Sequence, residues 1–160
     1  RSSDLAMEKL LLRTKLAVED CEKHLSATGC LGSEIESYLT QYLLVVLCAD
    51  IQQEIYKLAE ARAALAADVV IQSYVGSTTR RVLRSVKKED LSKFVALFGA
   101  GKKEQLNAVL DDVDVTIFNN AVSNRHDVAH SAGSQITLLE LKKALFISEK
   151  ILAAIKNAIA

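Results

Sequence analysis

Ser33-Glu-Ile-Glu-Ser-Tyr-Leu-Thr-Gln-Tyr-Leu-Leu-Val-Val-Leu-Cys-Ala-Asp-Ile51 is the stretch that decides the fold class. Gly32-Ser33 opens it as a helix start, because a serine side chain accepts from the first free backbone N–H groups. Its middle is apolar on nearly every side, so this helix is expected at the centre of the fold. From Asp50 to Ala66 the pattern becomes amphipathic, as on a helix with one face in water.

Working outward, the preceding segment reads as a helix from Asp4 to about Thr28, capped by Ser3 and ended by Gly29. Met7, Leu11, Val18, Cys21 and Leu25 form its stripe. Downstream, Asp68 to Val75 reads as a short helix and Gly76-Ser-Thr-Thr79 as a turn. Lys88 to Phe98 and Lys102 to Asp111 read as two short helices split by Gly99-Ala-Gly101. Another helix starts near Asp114 and is broken by Ser131-Ala-Gly133-Ser134. Thr137-Leu-Leu-Glu140 is a capping box for the last helix, which carries the stripe Leu138, Leu141, Leu145, Leu152, Ile155 and Ile159. No strand-like alternation of useful length occurs. The expectation is an all-α bundle of about four main helices with short inserted helices, as one domain over residues 1–160.

The composition narrows the function classes. Half of the 160 residues are hydrophobic and a quarter are charged, with no proline and six glycines, which excludes a disordered chain. Twenty basic residues balance twenty acidic ones, so the chain is no bulk polyanion binder, and any nucleic-acid contact needs a local basic patch. Arg80, Arg81, Arg84, Lys87 and Lys88 form the densest such cluster. Cys21, Cys30 and Cys48 are odd in number and widely spaced, unlike a disulfide framework or zinc ribbon. They read as thiols of a reducing compartment, two of them buried. The longest apolar run, Tyr42 to Ala49, is far short of the roughly 20 residues that span a bilayer, and no signal peptide is visible. A soluble, cytoplasmic protein without membrane partners is expected.

Asn124-Arg-His-Asp-Val-Ala-His130 concentrates the chemistry, with two of the three histidines of the chain. Cleavage of RNA needs a base for the 2′-hydroxyl proton, an acid for the 5′-leaving oxygen and a cation for the phosphate charge. Histidine suits the first two roles because it titrates near neutrality. Arginine suits the third, with a planar fork that matches phosphate oxygens. Arg125 and His130 lie five positions apart, or about 140° around a regular helix. They meet one phosphate only if the helix ends or distorts between them, or if a second subunit completes the site.

Other readings of the same residues stand beside this one. The segment also reads as a solvated helix end with basic caps. His126-Asp-Val-Ala-His130 puts two histidines on one face and approaches the zinc-hydrolase pattern His-Glu-x-x-His, although Asp127 is shorter than the usual glutamate and no third ligand is clear. Asp50 and Glu54, four apart, invite a metal-carboxylate reading, but no Glu-x-x-His pair supports it, and a polar stripe on a buried helix is the simpler account of Asp50. Gly99-Ala-Gly-Lys102 lacks the glycine and the Ser or Thr of a phosphate loop.

The motif resembles the Arg-x4-6-His signature of HEPN ribonucleases, whose residue after the arginine is usually Asn, Asp or His; here it is His126. Val45-Val-Leu-Cys-Ala-Asp-Ile-Gln-Gln-Glu54 resembles the second helix of the RiboL-PSP-type branch. The Arg80-Arg81 pair, Asp90-Leu-x-x-Phe-x-x-x-Phe-Gly99 and the long helix after the motif are also similar to that branch. The resemblance implies Arg125 and His130 as catalytic residues of a homodimer cleft, cutting RNA without metal or other cofactor. It implies supporting or RNA-binding roles for Asn124, His126, Asp127 and Glu54, with Glu54 orienting a motif residue. A toxin- or defence-type nuclease would also have a cognate antitoxin or inhibitor. Some members of the family are non-catalytic dimerisation or protein-binding modules, which is the alternative.

Overall fold

The computed structural model describes residues 10–130 and 136–160, and the side chains of residues 10–124 and 136–160. Its elements there are α1 (Leu12–Thr28), α2 (Glu34–Ala63), α3 (Val69–Val82), α4 (Lys88–Ala96), α5 (Lys102–Ala108), α6 (Asp112–His130) and α7 (Leu138–Ile159). The chain is all-α among the described residues, as expected. The long helices α1, α2, α6 and α7 form the bundle: α2 packs against α1, α6 and α7, and α7 packs against α6. Helix α3 lies on α2, while the short α4 and α5 pack together and onto α7.

Helix α2 is central for the reason its composition suggests. Leu43, Leu44, Leu47, Cys48, Ile51 and Ile55 are all buried, and they cover more than one face of the helix. Each such aliphatic side chain contributes roughly 1.5–3 kcal/mol when fully removed from water. Against them stand Phe118 of α6 and Leu141, Ile151, Leu152 and Ile155 of α7, in one continuous core. Ser33 caps α2 by accepting from the Ile35 N–H, and Glu36 takes the Gly32 N–H at 2.6 Å.

The N-terminal helix corrects the sequence expectation. Helix α1 begins at Leu12, and Leu11 adopts φ 52°, ψ 32°, a left-handed conformation that interrupts any helix running in from Asp4. Ser3 and Met7 lie outside the described residues. A non-glycine residue there costs on the order of 1–2 kcal/mol. The side chain of Leu11 is fully buried, which offsets that cost. With Leu11 offering no capping side chain, Asp50 of α2 takes the role: its Oδ2 accepts from the Thr14 N–H at 3.1 Å and from Thr14 Oγ1 at 2.8 Å. Asp50 is therefore no mere polar stripe; it is a buried cap supplied by another helix. Gly29 ends α1 at φ 66° as expected, its N–H returning to Leu25 and Ser26.

The expected turn at Gly76–Thr79 is instead the interior of α3. Asp68 caps that helix by accepting from Val70 and Ile71. Contacts with α2 then outweigh the poor helix propensity of Gly76 and its neighbours. Arg80 bridges to Glu60 at 2.8 Å and lies 5.1 Å from the centre of the Tyr56 ring. Gln52 Nε2 donates to the Leu83 carbonyl at 2.7 Å, closing the end of α3 on α2. Helices α4 and α5 are shorter than expected, and Gly99 and Gly101 between them have positive φ. Of the three thiols only Cys48 is buried, one fewer than expected; Cys21 and Cys30 are half-buried, and none of the three forms a disulfide among the described residues.

Helix α7 begins as its capping box dictates. Thr137 Oγ1 accepts from the Glu140 N–H at 3.2 Å, and Glu140 Oε2 accepts from the Thr137 N–H at 2.8 Å. No helix among the described residues is long and apolar enough to cross a membrane.

Candidate functional site

Helix α6 carries the Arg-x4-His segment, and its start is firmly held. Asp111 Oδ1 accepts from the Val113 and Asp114 N–H groups at 2.9 and 3.1 Å. Asp114 bridges to Lys150 of α7 at 2.8 Å. One turn on, Phe118 is fully buried, followed by Ala121 and Val122. This core stripe fixes the rotation of α6 against α2 and α7.

The helix then runs on to His130. Of the two ways to bring positions 125 and 130 to one phosphate, an end of the helix between them is therefore not taken. Along a continuous helix they stand about 7.5 Å apart in height and about 140° apart in direction. The side chains of Arg125, His126, Asp127 and His130 lie outside the described residues.

Asn124 is the motif residue whose side chain is described. Its Nδ2 donates to the Asn120 carbonyl at 2.7 Å, one turn back on α6. Both asparagines line a cleft between α6 and α7 with a volume of about 420 Å³. Ile117 and Ala121 of α6 contribute apolar surface, as does Ile136 ahead of α7, and Glu140 and Lys143 of α7 contribute charge. The Glu140 carboxyl is held below the ordinary carboxylate range, first by the backbone N–H of Thr137 and then by its hydroxyl. It is thus ionised and already engaged as a cap.

Glu54 is half-buried on α2, and among the described residues its ion pair is with Lys57, at 2.7 Å. The hydrogen bond that Lys57 Nζ donates to that carboxylate is the main cause that raises the Lys57 ammonium above its usual range. Asp50, four residues earlier, is occupied with Thr14. The two carboxylates thus face separate tasks, and among the described residues no group of three His, Cys, Asp or Glu side chains is arranged to hold a metal ion.

The basic cluster divides. Arg80 is a strut between α3 and α2. Arg84 Nε donates to the Arg81 carbonyl at 3.2 Å, and both Arg81 and Arg84 are exposed. The Lys88 N–H donates to Asn119 Oδ1 of α6 at 3.0 Å, which ties the end of the cluster to the motif helix. Sequence reasoning missed Asn119, Asn120 and Lys143. The available signal was the spacing of Asn120, Asn124 and Asp127, which share one helical stripe, with Lys142-Lys143 at the start of the next helix.

A bundle that presents an Arg-x4-His segment at the end of its third long helix, followed by a long amphipathic helix, invites comparison with known families. No curated protein and no solved structure matches the chain. The model of the RiboL-PSP-HEPN family matches residues 11–160, from the buried start of α1 to the end of α7. With nearly the whole length matched, the chain belongs to the RiboL-PSP-HEPN family of the HEPN superfamily.

Proposed function

We propose that this protein is a metal-independent endoribonuclease of toxin or defence type, with Arg125 and His130 in a composite site at a homodimer cleft. The observation that carries the reading is the continuity of α6 through both positions. One helix directs them about 140° apart. Two helices facing each other across a two-fold axis supply two arginines and two histidines to one phosphate.

In this reading one His130 accepts the proton of the 2′-hydroxyl. The 2′-oxygen attacks phosphorus, the bond to the 5′-oxygen breaks, and the other His130, protonated, gives its proton to that leaving oxygen. The products are a 2′,3′-cyclic phosphate and a 5′-hydroxyl, with no water or metal consumed. The two Arg125 guanidinium groups offset the charge that builds on the phosphoryl oxygens. His126, Asp127 and Asn124 border the site and contact RNA, and Glu54 acts in support from α2. Three cysteines outside any disulfide fit a reducing, cytoplasmic compartment. An active nuclease of this type also calls for an antitoxin or inhibitor protein.

The test compares RNA cleavage by wild type, Arg125→Ala and His130→Ala, all with EDTA present. Cleavage by wild type alone, leaving cyclic-phosphate ends, is the expected result. Equal cleavage by all three removes the catalytic assignment. Loss of wild-type activity on chelation, with zinc bound one to one, points to a His126–His130 metal site instead. A stable dimer that cuts no RNA supports the non-catalytic interaction module.

A further inference from the structure

We propose that the α6–α7 cleft is a nucleobase pocket for the RNA strand that passes the motif, selecting bases with an exocyclic amino group. The choice of RNA as ligand rests on the nuclease reading; the pocket itself rests on its own geometry. At about 420 Å³ it falls within the range of roughly 300–1,000 Å³ typical of small-ligand sites. Its walls divide by chemistry. Ile117, Ala121 and Ile136 offer apolar surface for a base, while Asn120, Asn124 and Lys143 offer polar groups.

The orientation of Asn124 follows from the hydrogen bond that its side chain makes among the described residues. A carbonyl only accepts, so the amide nitrogen must face the Asn120 carbonyl at 2.7 Å. Oδ1 is then the atom left for a ligand, and it is an acceptor. It matches an amino group, as on adenine or cytosine, and opposes the O4 carbonyl of uracil. Asn120 lies one turn away on the same stripe and is exposed, so its amide can pair with both a donor and an acceptor on the base edge. Lys143, exposed on α7, supplies the cation for the adjoining phosphate. Glu140 Oε2 already accepts from the Thr137 N–H and hydroxyl, so that oxygen is not open to a base donor. The stripe of Asn120 and Asn124 climbs α6 toward its C-terminal end. Position 130 is about 9 Å above Asn124 at 1.5 Å per residue, within reach of a neighbouring nucleotide.

The experiment uses wild-type protein and 2′-O-methyl hexamers of A, C and U, which lack the attacking hydroxyl and cannot be cut. Fluorescence anisotropy is expected to show A or C binding about tenfold tighter than U, the scale of one well-made base contact. Asn124→Ala should abolish most of that preference. Asn120→Ala, at an exposed position, gives a second test that does not disturb folding, which far-UV circular dichroism checks for both. Lys143→Ala should weaken all three hexamers alike and flatten the salt dependence. Equal binding of the three hexamers by wild type, no binding, or a preference untouched in both asparagine variants overturns the pocket. Failure of wild type to cut unmodified RNA overturns the nuclease reading instead, and the binding result stands apart from it.

Discussion

Asp50 holds the first turn of α1 from a distance of 36 residues, through a single carboxylate oxygen that accepts both the N–H and the hydroxyl of Thr14. The carboxylate is buried, and so is its partner. Asp50→Ala leaves both Thr14 donors without an acceptor, and each buried unsatisfied donor costs about 1–3 kcal/mol. Urea unfolding should show this as a lower midpoint with an unchanged slope. Thr14→Val removes only the hydroxyl and should cost less. Equal midpoints for wild type and Asp50→Ala would show that the cap is inert.

The start of α7 should respond to acid. The Glu140 carboxyl titrates below its ordinary value because the Thr137 N–H favours the ionised form. A lowered folded value means that the stabilisation is complete above the ordinary carboxylate pKa and is lost as pH falls through the folded one. The stability gap between wild type and Glu140→Gln should therefore hold steady near neutrality and close in acid. A gap that is flat from neutral pH down into acid would contradict it. Thr137→Ala removes the other half of the box and should cost about 1 kcal/mol at neutral pH.

Two arginines of the same basic cluster should behave differently. Arg80 joins α3 to α2 through Glu60 and the Tyr56 ring, contacts that together contribute on the order of 1 kcal/mol at an exposed position. Arg80→Ala should lower the thermal midpoint. Arg81→Ala should leave stability within about 0.5 kcal/mol, as surface changes usually do. If Arg81 proves the more destabilising, α3 is held in another way.

A composite site makes a prediction about mixtures. When His130→Ala chains are exchanged into wild-type dimers in equal amounts, about a quarter of the dimers stay wild type at random pairing. Activity at constant total protein should fall toward that fraction of the wild-type value, because mixed dimers lack either the base or the acid. Activity that halves would assign the whole reaction to single chains.

These residues also show what a sequence discloses. The α7 capping box was legible because both partners lie within four residues of each other, and local geometry dictates the bond. The apolar middle of α2 was legible because its composition alone demands burial. The start of α1 was not, since its cap comes from Asp50 across the bundle and its first residue, Leu11, takes a conformation no aliphatic side chain advertises. Gly76 read as a turn by its own preference and became helix through contacts made elsewhere on α3. The motif was visible as a string, and Asn124 with it. Lys143, about twenty residues later, enters the cleft only because α7 packs against α6.

A helix that runs unbroken through both ends of a motif converts sequence spacing into compass bearing. Five steps from Arg125 to His130 set two bearings about 140° apart, whereas seven steps would return within about 20° of the start. Inserting two residues between them would thus line both up along one edge of α6. Spacing in this motif works as a dial: its present setting gives the two positions different bearings on α6.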